Sequence, residues 1–275
     1  MSWKTLLVHL DDSANSSARL DFALDLARRF DAHLIGLYVV CQDLLQLLVK
    51  SGESGRLADF EARHAANLQR AHAHFMAAGE RAGLAVEWRA PPGPAIEAAI
   101  LHARHADLLI AGQRDPQDSA SFIARNFLED LLMGSGRPVV LLPYAGQIRS
   151  FGENVLIAWD SSREAARAVA DALPLLGHAR FVTVVTVQRH PDAGPAAGID
   201  VANWLERHGI HAGFVSAQSM PGVNAGATVL NLLSDRHADL LVMGAYGHAR
   251  AYERVLGGLT QALLETMTVP VLMSH

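Results

Sequence analysis

The last quarter of the chain contains glycines whose spacing suits the binding of a phosphate group. Two residues separate Gly244 from Gly247, and nine separate Gly247 from the pair Gly257 and Gly258. They follow an apolar run, Ala238–Met243, of the kind that forms a buried parallel strand. Glycine directly after a strand, and again where a helix begins, lets backbone N–H groups approach a phosphate closely. The pattern predicts a phosphate-binding loop built from the main chain.

This glycine loop differs from the two familiar phosphate-binding motifs. Its spacing is not that of the dinucleotide fingerprint, and the lysine of a Walker loop is missing, because the only lysines are Lys4 and Lys50. Phosphate charge at the loop would have to be met by backbone dipoles, hydroxyls, arginine or a metal ion. Arg250 and Arg254 lie within the loop, although surface arginines that contact only solvent are equally consistent with the pattern.

A carboxylate follows another predicted strand of the same half. Asp160 comes after the apolar stretch 154–159, and Ser162 follows two residues later. Asp160 could bind a ligand, or it could simply cap the helix that begins near Ser162, since both residue types accept helix N–H bonds. The carboxyl ends of parallel strands meet at one edge of a sheet. Asp160 and the Gly244 loop are therefore expected to share one crevice.

The chain is an internal duplication. A shift of 132 residues places His105–Leu109 on His237–Leu241, and a shift of 149 places Asp11 on Asp160 and Ser13 on Ser162. The two shifts differ by 17 residues, which are the extra residues of the first half and fit the region 42–83. A repeat of this length indicates two copies of a domain rather than a solenoid, whose units have about 20–50 residues.

Each half alternates strands with helices, which predicts a parallel sheet with helices on both faces. The fold class is α/β, with two tandem doubly wound domains at residues 1–144 and 153–275 and a linker between them. Both halves end in short apolar strands with a proline at their start, so we expect these final strands to join the domains as a pseudo-dimer within the chain. The predicted strands are 5–10, 33–40, 85–90, 108–112, 139–142, 154–159, 181–187, 213–217, 239–243 and 269–273; the predicted helices are 16–30, 57–82, 94–102, 127–133 and 259–267.

With these motifs in place, both halves resemble universal stress protein domains, and the whole chain resembles the tandem members of that family. The nucleotide-binding branch has a strand-end Asp and a Gly-x2-Gly-x9-Gly-Ser/Thr signature, which the second half matches except that Gly258 replaces Ser or Thr. The resemblance implies that domain 2 binds ATP, ADP or AMP, with or without magnesium, and that the backbone of Val187 contacts adenine. The implied nucleotide-binding residues are Asp160, Ser162, Val187, Met243, Gly244, Gly247, Arg250, Gly257, Gly258, Leu259 and Thr260.

The first half departs further from the family signature. Asp115 stands where Gly247 stands in the second half, and Arg125 and Asn126 replace the later glycines. A carboxylate at this position repels phosphate, and Pro116 removes an N–H donor. We therefore expect no ATP in domain 1, where Asp11 would serve the fold or another ligand. Leucines of the segment 44–48 could cover an apolar ligand there or pack in the core.

Composition narrows the class of protein. The net charge of −5 provides no basic stripe for nucleic acid, and no apolar run approaches the roughly 20 residues that span a bilayer. The single cysteine, Cys41, and the lack of a signal-peptide pattern suit a cytoplasmic protein. The 14 histidines show no metal-ligand spacing, and His9 is expected to be a hydrogen-bonded core residue.

Two classes of function remain open at this stage. The first is binding of an adenine nucleotide as a structural or signalling ligand, with at most slow hydrolysis, because no base that could position water is evident. The second is a nucleotide-free interaction protein that acts by dimerising and binding an unknown protein partner. An enzyme of the adenine-nucleotide α-hydrolase type is disfavoured, because no catalytic constellation accompanies the loop. The sequence leaves open whether two chains form a homodimer.

Overall fold

The computed structural model describes residues 2–40, 54–118, 126–188, 198–218, 225–246 and 259–275. The chain separates into two compact units, an N-terminal unit, Ser2–Arg137, and a C-terminal unit that begins at Pro138 and ends at His275. In both units parallel strands alternate with helices, which confirms the predicted α/β class. No helix in the described ranges is long and apolar enough to cross a membrane.

The N-terminal unit contains four parallel strands in the order β3-β2-β1-β4. The central strands β1 and β4 are apolar along almost their whole length, as expected when helices cover both faces of a sheet. The elements are β1 (Thr5–Leu10), α1 (Ser16–Phe30), β2 (His33–Tyr38), α2 (Ser54–Ala82), β3 (Val86–Arg89), α3 (Ala95–Ala103), β4 (Leu108–Gly112) and α4 (Phe127–Ser135).

Helix α2 is the longest of the described elements, with 29 residues. It lies against β2 through Phe75, which is fully buried. A Cβ atom at Gly36 of β2 would lie 2.5 Å from the Phe75 ring, so only glycine lets the helix approach the strand this closely. The helix therefore passes close to the sheet, and its remaining turns stand beside the loop that joins β1 to α1.

The C-terminal unit contains six strands in the order β5-β10-β9-β6-β7-β8. Strands β10, β9, β6, β7 and β8 are parallel to one another, whereas β5 pairs antiparallel with β10. The elements are β5 (Val139–Leu142), β6 (Asn154–Ala158), α5 (Arg163–Leu176), β7 (Phe181–Gln188), α6 (Gly198–Arg207), β8 (Ala212–Gln218), α7 (Ala225–Asp235), β9 (Leu240–Gly244), α8 (Leu259–Thr266) and β10 (Val271–Ser274).

Strand β5 departs from the division suggested by the duplication. In the sequence it is the last strand of the first repeat, but its contacts place it in the C-terminal unit, where Val140 is registered with Leu272. The two final strands of the repeats thus pair with each other, so that each hydrogen-bonds to an edge of the other. The wider expectation of a pseudo-dimer of whole domains stays a prediction.

Where element boundaries differ from the sequence predictions, they differ by one to three residues. Strand β10 begins at Val271 rather than at residue 269, because Pro270 has no N–H to donate and takes part only through its carbonyl, which accepts from Leu241. Helix α2 begins at Ser54, three residues before the predicted start. Helix α1 and strands β1, β4 and β5 have the predicted bounds.

Candidate functional site

Asp160 lies just beyond the carboxyl end of β6 and is exposed to solvent. Its Oδ1 atom accepts hydrogen bonds from the backbone N–H of Ser162, at 2.9 Å, and from the Ser162 hydroxyl, at 2.6 Å. No described residue donates to the second carboxylate oxygen, Oδ2. The side chain is therefore held in place by one oxygen, while the other has no hydrogen-bond partner among the described residues.

Ser162, rather than Asp160, caps helix α5. The Ser162 Oγ atom accepts from the Ala165 N–H at 3.1 Å, which satisfies one of the free donors of the first helical turn. The sequence alternative that Asp160 itself caps the helix is wrong in this detail, because Asp160 orients the capping serine instead. Ser161, between them, adopts a left-handed conformation with φ of 65°, which turns the chain from strand to helix.

Gly244 brings the end of β9 against the start of α5. A Cβ atom at this position would lie 2.5 Å from the Ala165 nitrogen and 2.6 Å from the Glu164 carbonyl carbon. Glycine is required here for close packing of strand on helix, whether or not a ligand approaches. Met243, which precedes it, is buried in the core and is registered with Ala158 of β6. Asp160 and the start of the glycine loop therefore lie at the ends of neighbouring strands.

Thr260 supports the backbone that follows β9. Its Oγ1 atom accepts from the Tyr246 N–H at 3.3 Å, and the residue is almost completely buried. Tyr246 has a φ of 56°, a left-handed conformation. The hydroxyl proposed from sequence as a phosphate ligand thus holds the loop to α8. Leu259 begins that helix, while Gly247, Arg250, Gly257 and Gly258 lie outside the described residues.

Two polar atoms beside this crevice lack hydrogen-bond partners, and neither was singled out from sequence. The Trp159 indole N–H and the Thr186 hydroxyl are both buried without a partner in the described structure. Trp159 donates its backbone N–H to Val185 at 2.8 Å, so Trp159 and Thr186 are adjacent at the ends of β6 and β7. Val187, proposed to contact a base through its backbone, follows directly and is half-buried. Unpaired buried donors at a strand end favour a polar occupant.

Glu164 adds a buried carboxylate near Gly244. It forms an ion pair with the exposed guanidinium of Arg163. Burial acts to raise the pKa of Glu164, but the hydrogen bonds from Arg163 and the backbone, with His275 nearby, bring it below its usual value. Two carboxylates, those of Asp160 and Glu164, therefore stand at this end of the sheet, and a phosphate would need the backbone dipoles of the loop to offset them.

The corresponding carboxylate of the N-terminal unit is closed off. Asp11 Oδ1 accepts from the Ser13 N–H at 3.1 Å, from the Ser13 hydroxyl at 2.5 Å and from Arg19 Nη2 at 2.7 Å. The Asp11 and Arg19 side chains are 1% and 3% exposed. Burial acts to raise the pKa of Asp11, but the Arg19 charge and these hydrogen bonds lower it to about 2.

The Arg19 guanidinium lies beside both Asp11 and the glycine that ends β4. Arg19 Nε donates to the His9 carbonyl at 2.6 Å, and the same guanidinium fills the space beside Gly112, the counterpart of Gly244. The duplication matches Arg19 with Ala168, which is buried and carries no charge. Arg19 was not predicted from the sequence as a functional or buried residue, although its position on the apolar face of α1 indicates burial.

His9 is a buried, hydrogen-bonded core residue as expected, but only one of its two ring nitrogens has a partner in the described structure. Its Nε2 lies 3.0 Å from the Val39 carbonyl, but Nδ1 has no partner in the described structure. Its ring packs on Phe127 at a centroid distance of 5.0 Å. Burial is the main cause of a lowered pKa, partly opposed by Asp11. The ring is thus neutral at physiological pH.

The loop after β4 carries the predicted departures from the phosphate signature. Asp115 Oδ1 accepts from the Gln117 N–H at 2.8 Å, and the Asp115 carbonyl accepts from the Asp118 N–H, so this carboxylate folds the loop into a turn around Pro116. Asn126 precedes α4 and donates to Asp130 on the same helix. Arg125 lies outside the described residues. Within the described ranges no group of His, Cys, Asp and Glu could hold a metal ion.

A parallel α/β sheet with an acidic strand end next to a strand-end glycine defines the class of α/β domains that bind ligands at the carboxyl edge of the sheet. The chain belongs to the universal stress protein family, whose model matches residues 2–140 and again residues 152–275. The match confirms the tandem arrangement predicted from the duplication.

Solved structures resemble the chain over its whole length. A universal stress protein from Archaeoglobus fulgidus DSM 4304 is 19% identical, with a TM-score of 0.74 over 98% of this chain and 95% of that chain. A functionally unknown protein from Pseudomonas aeruginosa PAO1 is 16% identical, with a TM-score of 0.57 over 99% and 92%. A universal stress protein in complex with cAMP covers 53% of this chain and 100% of its own, at 21% identity and a TM-score of 0.37. No curated protein sequence matches the chain. At these identities the likenesses show the fold.

Proposed function

We propose that the protein binds an adenine nucleotide, ATP, ADP or AMP, in the crevice at the carboxyl ends of β6, β7 and β9, as a ligand for stress signalling. The observation that carries the proposal is the contrast between the two strand-end aspartates. Asp160 is exposed and keeps Oδ2 available, whereas Asp11 is buried in an ion pair with Arg19. The strand-end carboxylate of the C-terminal unit is thus exposed, whereas that of the N-terminal unit is buried.

The surrounding groups support a nucleoside in this crevice. Asp160 Oδ2 can accept from a ribose hydroxyl or a base amine, and the unpartnered Trp159 N–H and Thr186 hydroxyl can bond polar atoms of the same ligand. Phosphates would lie toward the loop that follows Gly244, where the glycine spacing gives N–H groups close access. Mg²⁺ would offset the Asp160 and Glu164 charges there.

The nucleotide serves in this proposal as a ligand rather than as a substrate. The described residues of the crevice include no lysine and no histidine other than His275, which lies 2.9 Å from the Ala245 carbonyl through Nδ1. A phosphoryl-transfer enzyme needs a group that orients the attacking water and charges that stabilise the transition state. Occupancy of the site, with slow turnover at most, suits a signalling role.

Calorimetric titration of the full chain with ATP, ADP and AMP tests the proposal, and Asp160→Asn is the informative variant. Asn keeps the oxygen that accepts from Ser162 and removes only the charge and the Oδ2 acceptor, so the fold is expected to stay intact. Loss of a hydrogen bond to a charged group predicts nucleotide binding weaker by about tenfold or more. Asp11→Asn is the matched control and should leave nucleotide affinity unchanged. Equal affinity of the parent and Asp160→Asn would refute the site.

One observation favours the second class, an interaction protein. Strand β8 has seven residues without a charge or a proline and pairs on one side with β7, the only described strand beside it. The side chains of Phe181 and Ile199 are exposed in the same unit. An uncharged edge strand can accept an extended partner segment. Mass spectrometry of freshly purified, denatured protein separates the classes, because a co-purified adenine nucleotide supports the first and its absence the second.

A further inference from the structure

Strand β8 is the outer strand of the C-terminal unit, and it lacks the features that protect an exposed edge from pairing. Its seven residues, Ala212–Gln218, include no charge, and β7 is the only described strand beside it. Strand β3 has the corresponding place in the N-terminal unit, but it is four residues long and carries Glu87 and Arg89. Short length and charges are the usual means by which an edge strand avoids pairing with another chain. Of these two edges, that of β8 is the one suited to pairing.

The side chains of β8 match a second copy of the same strand when the two run antiparallel. With Val215 on the two-fold axis, Phe214 of one copy lies opposite Ser216 of the other, so that a bulky side chain faces a small one. In the same register Gly213 lies opposite Ala217, and the two valines face each other. Pairs of β-branched residues stabilise a sheet, and no like charges meet. The strand is therefore complementary to itself.

Helix α6, which packs on both β7 and β8, leaves room for this pairing. A helix that contacts two neighbouring strands lies over the gap between them. Strands in a sheet are about 4.8 Å apart, so the axes of the two α6 helices would lie two strand spacings, or about 10 Å, apart across the two-fold axis. Packed helices are separated by about 8–10 Å. The two helices thus come into contact without overlapping, and the β8 strands can approach to hydrogen-bonding distance.

The side of α6 that would meet the second copy carries an exposed apolar side chain. Ile199, Ala202 and Glu206 are spaced so that they share one side of the helix. The Glu206 carboxylate lies 2.9 Å from Nδ1 of His211, the residue just before β8, so this side is turned toward β8. Ile199 is 54% exposed in the single chain. Its burial against the helix of a second copy would add to the main-chain hydrogen bonds between the strands.

The chain already covers one pair of strand edges in this way, because β5 and β10, which end the two repeats, pair antiparallel. We propose that two copies of the chain form a homodimer through β8, antiparallel about a two-fold axis at Val215. The two α6 helices pack side by side on one face of the joined sheet. The assembly goes beyond nucleotide binding and does not depend on it, because β8 contains neither Asp160 nor Gly244.

Sedimentation of the full chain without nucleotide, over a series of concentrations, tests the assembly. An interface of one strand and one helix side is small, so we expect reversible dimers with a dissociation constant on the order of micromolar. Ser216→Lys places a charge on β8 in both copies and should weaken the dimer about tenfold or more. Asn203→Lys adds the same charge at an exposed position of α6, away from β8, and should leave the dimer unchanged. A chain that is monomeric at every concentration leaves the edge to a strand of a different protein and overturns the proposal, as does equal dimerisation of Ser216→Lys and the parent.

Disulfide cross-linking tests the register, in a chain whose single cysteine is removed by Cys41→Ser. Residues on the two-fold axis of an antiparallel strand pair lie about 4.5–5.5 Å apart, within reach of a disulfide, so Val215→Cys should form a covalent dimer under mild oxidation. Gly213→Cys is the control, because its two copies would lie about 13 Å apart. A mixture of Gly213→Cys and Ala217→Cys should cross-link, since these positions face each other. Cross-linking of Gly213→Cys alone as readily as Val215→Cys, or failure of both Val215→Cys and the mixture, would overturn the antiparallel pairing.

Discussion

The Arg19 Nη2 and Asp11 Oδ1 atoms lie 2.7 Å apart beneath the carboxyl end of β1 and form an almost completely buried ion pair. The same guanidinium bonds the His9 carbonyl and fills the space beside Gly112. A single side chain of α1 thus neutralises the strand-end carboxylate and closes the crevice of the N-terminal unit. The second repeat has Ala168 at the matching position, and its carboxylate remains open to solvent.

Removal of the arginine is predicted to destabilise the N-terminal unit. Arg19→Met leaves Asp11 as a buried charge without its partner, and breaking a buried pair costs about 3–5 kcal/mol. Hydrogen exchange of β1 and α1 in the full chain measures the loss of stability locally. Arg28→Met on the same helix is the control, because its pair with Asp25 is on the surface and contributes about 1 kcal/mol or less. Similar losses in the two variants would contradict a structural role for the buried pair.

The lowered pKa of Asp11 also predicts that the fold loses stability in acid. Its folded-state pKa of about 2 lies below the usual value of 3.8, so its ionised form stabilises the fold above pH 3.8, and this contribution is lost as the pH falls toward 2. The difference corresponds to about 2 kcal/mol. Unfolding by urea at stepwise lower pH should show this loss, and Asp11→Asn should flatten that part of the curve. An unchanged slope in Asp11→Asn would show that another group is responsible.

The lowered pKa of His9 predicts a second loss of stability, in a higher pH range than that of Asp11. Its pKa is lowered in the folded state, so the unfolded chain binds the proton first, and stability falls as the pH drops below about 6.5. His9→Gln can still donate to the Val39 carbonyl and has no proton to gain, and it should remove the decline between pH 7 and 5. Hydrogen exchange of β1 at the two pH values is the measurement. A decline that persists in this variant would assign the effect to other histidines.

Gly244 is predicted to be intolerant of even a methyl group. Gly244→Ala places Cβ 2.5 Å from the Ala165 nitrogen, where backbone rather than a flexible side chain must move, and overpacking of this kind costs about 1–3 kcal/mol. Gly213→Ala on β8 is the control, because its nearest neighbour, the Val182 carbonyl oxygen, lies 3.9 Å from the added atom. Thermal unfolding of both variants compares them. Equal melting temperatures would mean that β9 and α5 separate easily.

The first repeat suggests a substitution that tests the role of the glycine loop. Gly247→Asp copies Asp115 into the second repeat, adding a carboxylate and a side chain where phosphate is expected. ATP binding should be abolished while far-ultraviolet circular dichroism stays unchanged, because the substitution lies in a predicted loop. AMP, which carries less phosphate charge, should lose less affinity than ATP. Undiminished ATP binding by this variant would remove the loop from the nucleotide site, even with Asp160 retained.

Much of the fold was predictable because local patterns report burial directly. The apolar runs of β1 and β4, and the helical period of α1, predicted those elements with the bounds that the structure shows. The repeat placed Asp11 and Asp160 at equivalent strand ends, and the family match confirms the duplication. The residue that caps α5 could not be predicted in this way, because Asp160 and Ser162 are both good cap residues. Only the folded geometry shows that Ser162 caps the helix and that Asp160 accepts a hydrogen bond from it.

The sequence by itself determined that two α/β repeats are present and that an aspartate follows the first strand of each. Tertiary structure alone decided whether each aspartate is buried or exposed. The reason is that burial of the carboxylate depends on which side chain of the neighbouring helix contacts it. Arg19 lies eight residues from Asp11 in the chain, yet their contact exists only when α1 packs on the sheet. The pairing of strand β5 could not be predicted from its own residues either. Those residues specify a strand, but the pairing with β10 depends on residues about 130 positions away.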